Sequence, residues 1–370
     1  MKKHITFILF LLFGIIFFSS CSKDDEPVNE ELVENPVVEE EPVSDDPTVY
    51  NPKSSIITND IWWGDDNGGN VMASMGGHIT RIDDTYYWVG NDPQGSLNGS
   101  DIHLYSSKTL GSNSWKHEGK LVDFAPGLGG KNCTLLHSPA TGRYVIVAKS
   151  GLQFYESVNI TGPYTLVNTV SKFQIDSRGG NYKIGGMSTL QDGTNAYVIT
   201  SRRWLPDTPK SETEGTNHRY TGIYKLTPDF LDVAEEICWL RNDSREAMWL
   251  FKKDDTYYMT ASHTAGWTAS DCYYRTSTNL VDWSTEKQIG MDPVRSGGSQ
   301  ANKIMRSHGT QHRWIMQVGD QWMYGGDRYP YHESESHPVD KGLYLMCPVI
   351  WEGDTPIVKY ETSWDVSNEN

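Results

Sequence analysis

The sequence predicts an all-β chain folded as a five-bladed β-propeller in a single domain, and three observations carry that prediction. Long helical periodicity is almost absent, while glycine (34), tyrosine (20) and tryptophan (13) are plentiful, as in strands joined by tight turns. A turn of Asp, Gly or Asn followed by an aromatic, β-prone run recurs five times: "DDTYYWVG" at 83, "TGRYVIVAKS" at 141, "GTNAYVITS" at 193, "DDTYYMTAS" at 254 and "GDQWMYGGD" at 319. After each copy stands a second aromatic-led run: "LYSS" at 104, "FYES" at 154, "YKLT" at 224, "YRTS" at 274 and "YLMC" at 344. With a closing strand, each repeat makes a four-stranded antiparallel unit, and five such units close a ring that leaves only short sheet edges. A β-sandwich has no use for five equivalent motifs.

In chain order, residues 1–20 read as a signal segment. "MKK" is positively charged, and the apolar run "ITFILFLLFGIIFF" is too short and too early for a membrane span. "FSSC" resembles the end of a bacterial lipoprotein signal, which implies that Cys21 is lipidated; "SKDDE" behind it resembles the acidic export signal of surface lipoproteins. Residues 21–53 then form a tether. Between Ser22 and Pro47 lie eleven Asp or Glu, one Lys and four prolines, a composition that cannot bury enough apolar surface to offset its ordering entropy. The expected location is the outer membrane, cell surface or periplasm, with the lipid as the only membrane contact.

Residues 54–370 are the expected propeller, large enough for a substantial core and expected to be a monomer. The formal charge is −16, and the part outside the tether stays mildly acidic, which gives no footprint for nucleic acid. Cys133, Cys238, Cys272 and Cys347 are widely and irregularly spaced, with no CxxC pair. That excludes a common zinc pattern and leaves disulfides and buried thiols both open.

The chemistry concentrates in "DSREAMWLFKKDDTYYMTASHTAGW", where Arg245 and Glu246 stand directly before an apolar strand. Alternation along a strand sends the two side chains to opposite faces, and only Glu246 toward the ring's mouth is productive. This segment resembles the fourth blade of glycoside hydrolase family 43. "GGSQANKIM" at 297, "MYGGDRY" at 323 and "DDNGGNVMASMGGHITRIDDTYYWVG" resemble other segments of its exo-β-1,3-galactanase branch. The resemblance implies an exo-acting, inverting hydrolase of galactose-type linkages in which Glu246 is the general acid, protonating the leaving oxygen. It also implies that Gln300, in "SQ", handles the attacking water. Asp327 and Arg328, in the "GGDRY" segment, are carried over as substrate-binding residues.

Departures from the branch matter. Met75 and His78 stand in "SMGGH" where the galactanases read roughly "AHGGG", Lys131 stands at an acidic position, and Gly186 replaces an acidic residue before Met187. His78 and Lys131 are therefore candidate substrate contacts. The alternative is a propeller that binds glycans without cleaving them. Cations at Lys131, Arg178, Lys183, Arg202, Arg203, Arg245, Arg306 and Arg328 would suit a sulfated or uronate-bearing galactan. Trp62, Trp63, Tyr329 and above all Trp267 could stack on sugar rings. "YHESESHPVD" at 331 collects two His and two Glu but meets no metal-ligand spacing, so neither metal nor cofactor is expected. The partner is a polysaccharide or oligosaccharide.

Overall fold

The computed structural model describes residues 46–67, 72–92, 101–124, 131–149, 151–170, 182–204, 219–241, 245–264, 269–292, 307–328 and 342–367, with backbone alone at 131, 182, 183, 202–204 and 219. Among the described residues there is no α-helix; a single 3-10 turn covers 307–309. Five antiparallel sheets follow one another. Blade 1 is β2 (Met75–Ile82), β3 (Thr85–Asn91), β4 (Ile102–Ser107) and β5 (Lys116–Val122), and blade 2 is β6 (Lys131–His137), β7 (Tyr144–Lys149), β8 (Leu152–Ser157) and β9 (Thr165–Val170). Blade 3 is β10 (Tyr182–Asp192), β11 (Asn195–Trp204), β12 (Arg219–Leu226) and β13 (Val233–Arg241), and blade 4 is β14 (Arg245–Lys253), β15 (Thr256–His263), β16 (Cys272–Ser277) and β17 (Lys287–Gln288). Blade 5 runs β19 (Gln311–Val318), β20 (Gln321–Asp327), β21 (Tyr344–Glu352) and β22 (Thr355–Lys359), with β18 (Gly290–Asp292) added in parallel to its outer edge.

The recurrent turn-and-aromatic motif supplies the second strand of every blade, and the later aromatic-led runs supply the third. Tight turns with Asp83, Gly193, Asp254 and Gly319 at φ between 54 and 61° join first strands to second. Asp and Gly are the residues that reach this left-handed region at low cost. First strands contact each other in a closed cycle, β2 to β6, β10, β14, β19 and back to β2. That cycle is the propeller ring.

Apolar side chains fill the spaces between blades. One cluster spans blades 1, 4 and 5 and the others join blades 1 to 2, 2 to 3 and 3 to 4. Trp63, Trp88, Trp115 and Tyr344 pack edge to face or tilted, with centroids 4.7–6.1 Å apart. Each such burial contributes roughly 2–3 kcal/mol. Trp63 is thereby assigned to packing: it is 1 % exposed, its indole Nε1 donates to the Thr58 carbonyl at 2.8 Å, and it offers no stacking face.

The chain ends lock the seam between blades 5 and 1. β1 (Ile56–Thr58) pairs antiparallel with β23 (Ser363–Asp365). The Asn59 side-chain amide donates to the carbonyls of Met346 and Glu361 at 2.7 and 2.8 Å and accepts from Met346 N at 2.9 Å. Arg328, expected at the substrate, belongs to this seam instead. Its side chain is 2 % exposed and its Nη2 pairs with Asp60 Oδ1 at 2.9 Å. Cys133, Cys238, Cys272 and Cys347 are buried free thiols, which decides the alternative left open by spacing.

Candidate functional site

All five inner strands share one irregularity. Register slips between Met75 and His78, Lys131 and Cys133, Ile184 and Met187, Glu246 and Trp249, and His312 and Trp314. Every slip lies toward the start of its strand, at the same end of the channel. Such bulges bend a strand and re-aim its side chains. Gly76, Asn132 and Ala247 take φ of 68, 55 and 51° within them; glycine and asparagine tolerate this, whereas alanine is strained by about 1–2 kcal/mol. The strained alanine directly follows Glu246.

Arg245 and Glu246 diverge, as alternation along a strand predicts. Arg245 turns to the flank of blade 4, where Nε donates to Glu286 at 3.1 Å, Nη1 stands 3.2 Å from His263 Nδ1, and the guanidinium lies over the Tyr273 ring at 3.8 Å. Glu246 is half-buried and turns toward blade 5, its Oε1 accepting a hydrogen bond from Gln311 Nε2 at 3.2 Å. With Arg245 committed to Glu286, the neighbouring cation is drawn away from the Glu246 carboxyl.

Gln311, which the sequence reading did not single out, is the described partner of the Glu246 carboxyl. It opens β19 and is 4 % exposed. A signal was present. Glu246 stands eight residues before the turn at Asp254, and Gln311 eight residues before the turn at Gly319, so equal strand lengths bring both to the mouth. Local resemblance had selected Gln300, which lies outside the described residues, as do Trp267, Tyr329, Arg178, Arg306, the "YHESESHPVD" stretch and Cys21. Lys131 starts β6 at the mouth end, but its side chain, like those of Lys183, Arg202 and Arg203, is outside the description.

The other expected contacts lie beneath the surface. Asp327 is 4 % exposed, accepting from Arg313 Nε and Gly76 N at 2.8 Å each. Burial raises its carboxyl above the ordinary range, against the pull of Arg313. His78 is 5 % exposed; its Nε2 is 2.8 Å from Thr80 Oγ1 and its ring packs on Trp249 at 5.2 Å. Burial lowers its pKa to about 4, leaving a neutral imidazole. As placed, Asp327, Arg328 and His78 are supports beneath the mouth and at the seam rather than surfaces for a sugar. Trp62, 41 % exposed, keeps an open face. Among the described residues no group of three His, Cys, Asp or Glu is placed to hold a metal.

No protein-family model matches the sequence, and no curated protein matches it. The fold has solved counterparts. An exo-β-1,3-galactanase from Phanerochaete chrysosporium, solved with β-1,3-galactotriose, superposes with a TM-score of 0.66 at 18 % identity, over 84 % of this chain and 68 % of its own. An exo-β-1,3-galactanase from Clostridium thermocellum gives 0.65 at 21 %, covering 85 % and 68 %. A GH43 β-1,3-galactosidase solved with galactodeoxynojirimycin gives 0.64 at 18 %, covering 84 % of this chain and all of that one. The five-bladed fold is thus shared with these enzymes.

Proposed function

We propose that this chain is a glycoside hydrolase of the family 43 type that releases galactose units from β-1,3-linked galactan, with Glu246 as general acid. The observation that carries the reading is the Glu246–Gln311 pair: a carboxyl and an amide from adjacent blades, 3.2 Å apart at the bulged end of the inner strands. The similar structures are galactanases and a galactosidase with that same ring. In this scheme Glu246 protonates the leaving oxygen as the sugar becomes oxocarbenium-like. Gln311, a weak base but a good hydrogen-bond partner, takes the place given to Gln300 and orients the attacking water. We further propose exo action with inversion, an anionic galactan accommodated by Lys131, and surface attachment through a lipid on Cys21. Support for the last two is the Lys131 replacement and the composition of residues 1–47.

A glycan-binding role without turnover draws on one observation. A Cβ at Gly186 would stand 3.2 Å from Ala247 N, and one at Gly185 within 2.4–2.6 Å of Ser201. The bulge of blade 3 therefore packs closely on blade 4, and an acidic side chain at Gly186, which the resemblance leads one to expect, would require its neighbour to give by a few tenths of an ångström. A single assay separates the readings. Hydrolysis requires that wild type release reducing sugar from β-1,3-galactan, plain or sulfated, while Glu246→Gln does not; binding alone requires that both retain the glycan and neither cleave it.

A further inference from the structure

We propose that the buried Arg313–Asp327 ion pair is a positioning device for Glu246 and Gln311, setting their geometry without touching substrate. The inference rests on the hydrolase reading above. Arg313 follows Gln311 by two residues on β19 and lies within the slip between His312 and Trp314. Its Nε donates to Asp327 Oδ2 at 2.8 Å, and the two side chains are 6 % and 5 % exposed. Asp327 faces Gln311 directly across the β19–β20 ladder. The same Oδ2 accepts from Gly76 N at 2.8 Å. One carboxylate oxygen therefore ties the start of the inner strand of blade 1 to blade 5.

The guanidinium reaches further. A Cβ on Gly76 would stand 3.4 Å from Arg313 Nη2 and 3.5 Å from Asn132 N. Arg313 thus lies where the inner strands of blades 5, 1 and 2 begin. Blades 5 and 1 are the pair that chain connectivity does not join, and at their mouth ends this carboxylate contact acts beside the Tyr344 hydroxyl, which accepts from Ser74 N at 2.9 Å and donates to the Met72 carbonyl at 2.6 Å. A guanidinium fork fixes direction as well as distance. Buried ion pairs are a weak source of net stability, since desolvation offsets their attraction. Placement, rather than stability, is what this pair contributes.

The test is a double variant, Arg313→Met with Asp327→Asn, which removes both charges and keeps an acceptor for Gly76 N–H. We expect a folded protein with a melting temperature near wild type. Its kcat on β-1,3-galactan should fall about tenfold to a hundredfold with KM within about threefold, the pattern of misplaced catalytic groups. Arg313→Lys, which keeps the charge without the fork, should recover only part of the loss. A folded double variant with wild-type kcat would overturn the proposal. A crystal structure of the double variant decides it independently of activity. The Gln311 amide should move from Glu246 by about 1 Å, the scale at which catalysis suffers; a contact retained at 3.2 Å refutes positioning. Absence of galactan hydrolysis by wild type counts against the hydrolase reading, and the crystallographic arm still judges the ion pair.

Discussion

The two ends of the central channel are built from the same five strands and could hardly differ more. At the far end, strands stay in register into tight Asp or Gly turns and surround a cavity of about 630 Å³ lined by Leu135, Trp249, Phe251 and Ile315 among others. At the mouth, every inner strand slips register, Ala247 is held at φ 51°, and Glu246, Gln311, Arg313 and Asp327 meet. Regular pairing is the low-energy default for a β-strand, so irregularity at all five mouth ends and regularity at the other marks where polar groups have been aimed.

The largest test of that contrast is Glu246→Gln, expected to lower kcat by about 10²–10⁴-fold with the far-ultraviolet circular dichroism unchanged. Reducing-sugar release measures it. Arg313→Met alone removes the cation facing a buried carboxylate and should cost about 3–5 kcal/mol, read from urea unfolding; the neutral double variant should regain most of this.

On the inner strands of blades 1 and 5, His78 and His312 are buried and neutral, with pKa values lowered by desolvation to about 4 and about 3. Because these folded values lie below the unfolded value near 6.5, the unfolded chain binds the protons more readily. The stability they represent is complete above pH 6.5 and is lost as pH falls toward 4 and 3. For His78 the loss is about 3 kcal/mol. Unfolding midpoints at pH 7 and pH 4.5 should separate, and less so in His78→Gln.

Smaller effects sharpen the comparison from both ends. Gly319→Ala, at a far-end turn with φ 57° and open space around the new Cβ, should cost about 1 kcal/mol of backbone strain and leave kcat unchanged. Ala247→Gly relieves similar strain but adds chain entropy, so the net gain should be below about 1 kcal/mol. Thermal unfolding of both variants checks the pair.

The fold was legible because its signals are local. An Asp or Gly at each turn and an aromatic run behind it specify a hairpin wherever they occur, and the five copies name the five second strands. Divergence of Arg245 and Glu246 was legible for the same reason, from period-two alternation. Gln311 was not, because "TQHRW" carries nothing that distinguishes it from "SQANK" until strand length is counted back from Gly319. Arg328 was misassigned because proximity to "GGD" in sequence says nothing of Asp60, 268 positions away. Trp63 looked like a stacking residue until Trp88 and Tyr344 covered it.

Alternation and turn chemistry, which act over a few residues, were enough to determine from the chain alone that it folds as five antiparallel blades and presents Glu246 at a strand start. That Gln311 meets that carboxyl, which cations stay committed to partners, and that Asp327, paired with Arg313, reaches Gly76 across the seam were decided only by ring closure. Closure joins residues hundreds of positions apart through bulges and buried ion pairs, whose energies depend on neighbours that no local window contains.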